Sequence, residues 1–495
     1  MLDMRRAEAR TATLAGADGH VLVPRAWFVR GLGLVYLLAF ASFWSQAEGL
    51  VGSRGILPVA DTLQWAAETL GPAARWRLPT LLWLDAGDPA LHALCAAGCA
   101  AALAAAAGVA PAAALSLCWI CYLSVYVAGQ QFLSYQWDVL LLEAGVLGVL
   151  WAPRAWRPRR VWEQPPSTAV TWLLRWLIFR LMWSSGVVKL LSGDPAWRGL
   201  AAMEHHYQTQ PIPVWTSWFA HHLPPAVHTA ETLVMFGVEL ILPFAVFGPR
   251  RLRLTAAAGF ALLQLGIAAT GNYGFFNLLT LVLCLPLLDD AVFGRPAVEG
   301  GRPGRRWPRS LLWPAASVIF CLSGLQLAAT LGMDVRRAGP LYRLQQLLGP
   351  LHLSSSYGLF ATMTTTRPEI VLEGSREGVE WRTYRFRYKP TDLDRRPSFA
   401  GPHMPRLDWQ MWFAALRPFE RARWFHAFAR RLLEGSPPVL GLLAEDPFRG
   451  GPPPRYLRAH LYEYRFSRGE ARRRGVWWER TLLRPYSPVL SLRGD

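Results

Sequence analysis

About nine stretches of mostly apolar residues, separated by short charged segments, fill the first two-thirds of this chain and constrain its fold more than any other feature. Peptide groups inside a bilayer have no water to bond, so such a stretch crosses as a helix that satisfies its own backbone. The stretches fall near 30–43, 91–108, 111–128, 138–152, 171–191, 232–248, 254–270, 275–291 and 311–331. Some approach the ~20 residues that span a hydrocarbon core, and others are short or Ala-rich. Only 17% of the 495 residues are charged, against about a quarter in a soluble protein. From about residue 335 onward Arg, Asp and Glu return to soluble-protein density. The expected fold is a mainly α polytopic membrane protein with about nine transmembrane helices, followed by a water-facing α+β domain.

Loop charge sets the expected orientation. Polytopic chains keep their basic short loops in the cytoplasm. With residues 1–29 cytoplasmic, the loops after spans four, six and eight should be basic. They read PRAWRPRR (153–160), PRRLR (249–253) and GRPGRRWPR (301–309), whereas 44–90 and 192–231 are much less basic per residue. The membrane domain is thus 30–331, with cytoplasmic loops 153–170, 249–253 and 292–310 and extracytoplasmic loops 44–90 and 192–231. An extracytoplasmic α+β domain follows over 332–495. Ala39, Phe40 and Ala41 form a pattern like a signal-peptidase site. Some thirty residues precede that apolar core and Phe43 and Trp44 follow it, so the span reads as an uncleaved anchor. Positive-inside loops also account for much of the net charge of +18, and no nucleic-acid partner is expected.

In the last third, Glu369–Glu373 and Trp381–Lys389 alternate around a Ser375–Gly378 turn, which predicts a hairpin. A helical stretch runs from Leu407 through Leu416 to Leu433, and Leu461–Phe466 with Val476–Leu482 predicts a second strand pair. The six cysteines all lie in apolar stretches, so no disulfide framework holds this domain. Cys118 and Cys121 form a C-x-x-C, read here as packing residues on one helix face rather than a redox pair. No phosphate-binding loop, nucleophile elbow or H-E-x-x-H zinc motif occurs, and neither a cofactor nor a metal is expected.

Charges inside apolar spans are expensive and face a bundle interior or a cavity. Here they are Asp138, Glu143, Arg175, Arg180, Lys189 and Glu239, and the expected pairs are Glu143 with Arg180 and Glu239 with Arg175. The structural alternative has Arg175 and Lys189 snorkelling from the two ends of their helix. Only two of the 52 basic residues are lysine, Lys189 and Lys389, and the only asparagines are Asn272 and Asn277. A GC-rich genome depletes both types, so survivors are enriched where substitutes fail. Lysine, unlike arginine, can lose its proton when desolvated, which makes Lys189 a candidate catalytic base. Lys389, in the aqueous domain, is expected to tolerate arginine. Loop 192–231 holds five of the eleven histidines, His205, His206, His221, His222 and His228. Adjacent histidines on a helix point about 100° apart, so a hydrogen-bonded interfacial lid is expected rather than a metal site.

Several of these stretches resemble the lipase maturation factor family. GLVGSRGILPV (49–59) is similar to its first luminal loop and FLSYQWDVLLLEAGVLGVLWAP (132–153) to its most diagnostic helix. FRLMWSSGVVKL, DPAWRGL, HYQTQP and the Asn272–Asn277 pair extend the likeness. YGLF (357–360), RLDWQMWFAAL (406–416), DPFRGGPPPRY (446–456) and YEYRFS (462–467) carry it into the last third. The resemblance implies support for the folding of secreted lipase-like clients, and a membrane location with the C-terminal domain on the luminal or extracytoplasmic side. The animal family resides in the endoplasmic reticulum; this Lys-poor composition suggests a bacterial cytoplasmic membrane. Candidate residues in the luminal loop are Trp197, Arg198, His206, Tyr207, Gln210, His221, His222, His228 and Glu231. In the C-terminal motifs they are Asp408, Trp409, Trp412, Pro452, Pro453 and Pro454. Trp381, Trp409, Trp412, Trp477 and Trp478 are either client contacts or core. A shorter likeness, G-V-V-K-L followed by W-R-G-L, resembles the vitamin K-dependent gamma-carboxylase group and implies an enzyme with Lys189 as base.

Overall fold

The computed structural model describes residues 21–154, 156, 166–294 and 307–492. Arg5, Arg6, Arg10 and most of the basic loops 153–170 and 292–310 lie outside the described residues. Helices form at every expected stretch: α1 (Leu22–Trp44), α2 (Asp88–Ala107), α3 (Pro111–Gly129), α4 (Gln136–Trp151), α5 (Thr168–Leu191), α6 (Pro225–Phe236), α7 (Arg250–Thr270), α8 (Phe276–Cys284) and α9 (Arg309–Thr330). α6 continues through a π-helical turn at Gly237–Ile241 and a 3-10 segment at Leu242–Phe247. Six are long and apolar enough to cross a bilayer unaided: α1, α2, α3, α6 with its continuation, α7 and α9. α4 has 16 residues, α8 has 9, and α5 carries Arg175, Arg180 and Lys189. These three are largely buried among the others, so their charge and shortness meet protein rather than lipid.

α1 starts at Leu22, earlier than the expected Arg30, with Pro24 in its first turn, where its missing N–H leaves no bond unmade. It lies in the core against α2. A side chain at Gly33 would stand 2.6 Å from the Ala106 backbone nitrogen, so the two helix backbones touch. α2 ends at Gly108, whose φ of 76° only glycine adopts freely, and Pro111 starts α3. This tight helical hairpin follows directly from the sequence.

The last third builds a four-stranded antiparallel sheet, β1 (Pro368–Ser375), β2 (Arg382–Thr383), β3 (Tyr456–Phe466) and β4 (Trp478–Pro485), in the order β2-β1-β3-β4. Leu457, Ala459 and Leu461 of β3 are buried, then Tyr464 and Phe466, and the parity changes where the β3–β4 register shifts between Leu461 and Tyr462. The second expected pair is present. The first is shorter than expected: β2 contributes two residues, beyond which Arg385 pairs with Glu445 and Asp408 accepts the backbone N–H groups of Tyr388 and Lys389, both at 2.8 Å. The expected helix from Leu407 to Leu433 is two, α10 (Arg406–Ala415) and α11 (Arg423–Leu433). Pro418 and a 3-10 turn at Phe419–Arg421 separate them. One hydrophobic core runs from α1 through α10 and α11: Trp137 packs on Trp409 with centroids 4.9 Å apart, and Phe132 on Trp424 at 5.9 Å.

Candidate functional site

Most of the polar residues singled out within the membrane spans gather along one seam, where the bundle meets the C-terminal part; Arg175, over Trp172, and Asn277, on Gln264, lie within the bundle. At the start of α4, Asp138 receives a bidentate pair from Arg406 of α10, at 2.6 and 2.8 Å, and the Tyr122 hydroxyl donates to it at 2.6 Å. Both Asp138 and Arg406 are fully buried. Removing one partner of such a pair costs about 3–5 kcal/mol, because the other charge stays behind in low dielectric. Two motifs quoted above, QWD and RLDW, are therefore the two halves of one contact. Beside it, Ser42 and Gln46 at the end of α1 bond the backbone of Met404 and Arg406, and Ser42 also meets the His403 ring at 3.1 Å.

One turn along α4, Glu143 pairs with Arg180 of α5, as expected. It also accepts from the Ser355 amide at 2.9 Å and the Tyr357 hydroxyl at 2.6 Å. Arg180 donates in turn to the Ser355 carbonyl at 3.0 Å. The YGLF stretch is thus bound to the bundle through its tyrosine.

The second expected pair is corrected. Glu239 pairs with Lys189, at 2.6 Å, and not with Arg175, whose guanidinium lies over the Trp172 ring at 5.1 Å. The π-helical turn at Gly237–Ile241 sets Glu239 against α5 beside Gly186, where a side chain would collide with Leu240. Lys189 also donates to the Ser185 carbonyl at 3.1 Å and lies under the Trp197 ring at 5.3 Å. Neither Arg175 nor Lys189 snorkels: they are 2% and 3% exposed. Lys389, expected to tolerate arginine, is also 3% exposed, with its ammonium on Glu369 at 3.0 Å and on the Ile370 and Pro390 carbonyls.

Loop 192–231 folds as three short helices, Pro195–Arg198, Ala202–Thr209 and Trp215–His221, followed by the first turns of α6. Asp194 caps the first and also accepts from the Met363 amide at 2.9 Å, while the Trp197 indole donates to the Phe360 carbonyl at 2.9 Å. Gln210 is the hub: its amide nitrogen donates to Ser217 and to the Thr270 carbonyl, and its oxygen accepts from Tyr273 at 3.1 Å. Tyr273 also meets His206, at 3.4 Å. Burial and the nearby Lys189 charge push the His206 ring down to about 4. His228 is buried with Nδ1 on Glu231 at 3.0 Å. His221 and His222 pack against Trp218 and Phe466; burial and then the neighbouring His222 push His221 down to about 4. Arg198 is exposed and takes no part. Among the described residues no group of three His, Cys, Asp or Glu is placed to hold a metal.

From the sheet side, Arg367 reaches back to the Gln208 and Pro211 carbonyls at 2.8 and 3.0 Å and pairs with Glu369 at 2.6 Å. The Trp412 indole donates to the Thr209 carbonyl at 2.9 Å. Asn272 clasps the 398–401 segment with both ends of its amide, and Asn277 donates to Gln264. Four of the five tryptophans considered as client contacts, Trp409, Trp412, Trp477 and Trp478, are core, and Trp381 lies under Arg458 at 4.1 Å. Pro452 and Pro453 are exposed and Pro454 is buried; the Pro452 carbonyl accepts from Arg376. Arg406, Arg367, Tyr357 and Gln46 were not singled out. Arg406 and Tyr357 stood inside quoted motifs, but a sequence does not say which distant charge a residue meets.

The family model for the lipase maturation factor transmembrane domain matches residues 23–295, and that for the lipase maturation factor C-terminal domain matches 353–488. The chain belongs to the lipase maturation factor family. It is 36% identical to lipase maturation factor 2 of Mus musculus, over 96% of this chain and 84% of the mouse protein. It is 34% identical to lipase maturation factor 1 of Bos taurus, over 96% of this chain and 91% of the bovine protein. No solved structure matches the chain. Both halves of the seam fall inside family domains: Asp138, Glu143, Lys189 and Asn272 in the first, Tyr357, Arg367 and Arg406 in the second.

Proposed function

We propose that this protein assists the maturation of secreted, lipase-like clients from within a membrane, as a chaperone-like factor rather than an enzyme. The clients would meet loop 192–231 and the C-terminal part on the extracytoplasmic side, and the Lys-poor, Arg-rich composition supports a bacterial cytoplasmic membrane. The observation that carries this reading is the likeness to named lipase maturation factors over 96% of the chain, spanning both domains at once. The geometry supports it from the other direction. Asp138, Glu143 and Arg180 hold the C-terminal part to the bundle, and Lys189, the candidate base, has its ammonium on Glu239 and the Ser185 carbonyl. The carboxylase-like reading is not favoured.

Co-expression with a secreted lipase from the same source tests the proposal. Active lipase per mass of secreted lipase should fall several-fold without this protein, and photo-crosslinkers at exposed Phe219 or Val379 should capture the unfolded lipase. An unchanged specific activity, with a small cofactor retained one to one and no captured client, would overturn it.

A further inference from the structure

Between the end of α9 and the seam residues Ser355 and Tyr357, the chain forms one more helix, Pro340–Leu348. Pro340 opens it, where a missing N–H leaves no bond unmade. At 100° per residue, Leu341, Leu344, Leu347 and Leu348 fall within a sector of about 120°, and Arg343, Gln345 and Gln346 lie outside it. A leucine stripe on a surface helix normally enters a core. Here none of the helix is buried, Leu347 is 55% exposed, and the four leucines join none of the hydrophobic clusters among the described residues.

The helix is tied to the bundle at its C-terminal end. The half-exposed Trp76 donates its indole N–H to the Leu347 carbonyl at 2.8 Å, and just beyond, His352 packs edge-on against Tyr126 of α3, with centroids 4.6 Å apart. At its other end the helix follows closely on α9, whose Leu311, Trp313 and Phe320 face outward. Leu331 and Met333 carry that exposed apolar surface past the end of the span, Met333 at 62% exposure. Arg336, Arg337 and Arg343 are exposed along the same stretch, and Asp334 is the one acidic residue between 331 and 348.

We propose that the helix Pro340–Leu348 lies in the plane of the bilayer, in the leaflet on the side of the C-terminal part. Its leucine stripe rests among the upper acyl chains, Trp76 sits at the headgroups, and the three arginines reach the lipid phosphates. The bilayer is the occupant because the stripe continues the outward face of a span that lipid already covers, and because the flanking charge is complementary to phosphate. The membrane then sets the depth of the strap that carries Ser355 and Tyr357 to Glu143. This placement does not depend on the identity of the client.

The test uses the full chain in vesicles of phosphatidylcholine and phosphatidylglycerol, with the exposed Cys321 replaced by alanine. A nitroxide is attached in turn through Leu344→Cys, Leu347→Cys and Gln346→Cys, and the chain without an added cysteine gives the background. Labels at 344 and 347 should collide with dissolved oxygen in preference to a water-soluble nickel chelate, at a depth of about 5–10 Å. The label at 346, on the opposite face, should show the reverse. Leu344→Glu should raise nickel access at 347 several-fold. Nickel access to all three labels, equal to that at exposed Val379, overturns the proposal. Spin–spin broadening between chains at 347, or shielding there from both reagents, would put a second copy or another protein on the stripe and is equally fatal. Should Leu344→Cys fail to fold, the exposed Leu347 position carries the test alone.

Discussion

At the scale of single residues, the rarest side chains are the most confined. Both lysines are buried and each is paired with a glutamate, Lys189 with Glu239 and Lys389 with Glu369. Both asparagines are buried and hydrogen-bonded through their amides. A compact ammonium fits these sites and a planar guanidinium, with five donors, does not. Lys189→Arg should therefore lower thermal stability in detergent, by roughly 1–3 kcal/mol from overpacking, and reduce client maturation. Lys389→Arg should behave similarly rather than serve as a silent control. Unchanged melting and full activity in both variants would show that the pockets accept the larger group.

At the scale of elements, the short helices of 192–231 are held by neutral imidazoles. His206 and His221 are pushed down to about 4, chiefly by burial. His403, in the C-terminal part against Ser42, is likewise pushed down to about 4. Above the ordinary histidine value of 6.5, folded and unfolded forms are both neutral and the packing contributes in full. As pH falls below 6.5 the unfolded segment takes up protons that the folded one refuses until about 4, so stability is lost across that window. Amide hydrogen exchange over 202–231, corrected for its intrinsic pH dependence, should report more frequent opening at pH 5 than at pH 7.5. Equal protection at both values would mean that these rings ionise without strain.

At the scale of the whole molecule, the C-terminal part is not a separate body hung from the last helix. Its contacts land on one end of the bundle: the end of α1 through Ser42 and Gln46, the start of α4 through Asp138, and the turn between α7 and α8 through Asn272. If α1–α9 each cross the bilayer, the arginines at the start of α7, Arg250, Arg251 and Arg253, would place this face outside the cytoplasm. Reporter fusions within 153–170 and after residue 340 should therefore report opposite sides of the membrane. Both reporting the same side would overturn the nine-crossing arrangement.

The apolar stretches and their order were legible in the sequence because hydropathy and backbone propensity act over a few neighbouring residues. The Glu143–Arg180 pair was legible as well, since two facing helices offered few opposite charges. The rest of the seam was not. Asp138 finds Arg406 across 268 residues, and Glu239 finds Lys189 rather than Arg175 because a π-helical turn advances it on α6. The first hairpin forms but is short, because Arg385 beyond it pairs with Glu445 and Asp408 holds the Tyr388 and Lys389 amides. Local patterns fix what each segment is. Which buried charge meets which depends on how those segments pack, because a desolvated ion is stabilised only by the particular partner that the fold brings within a few ångströms of it.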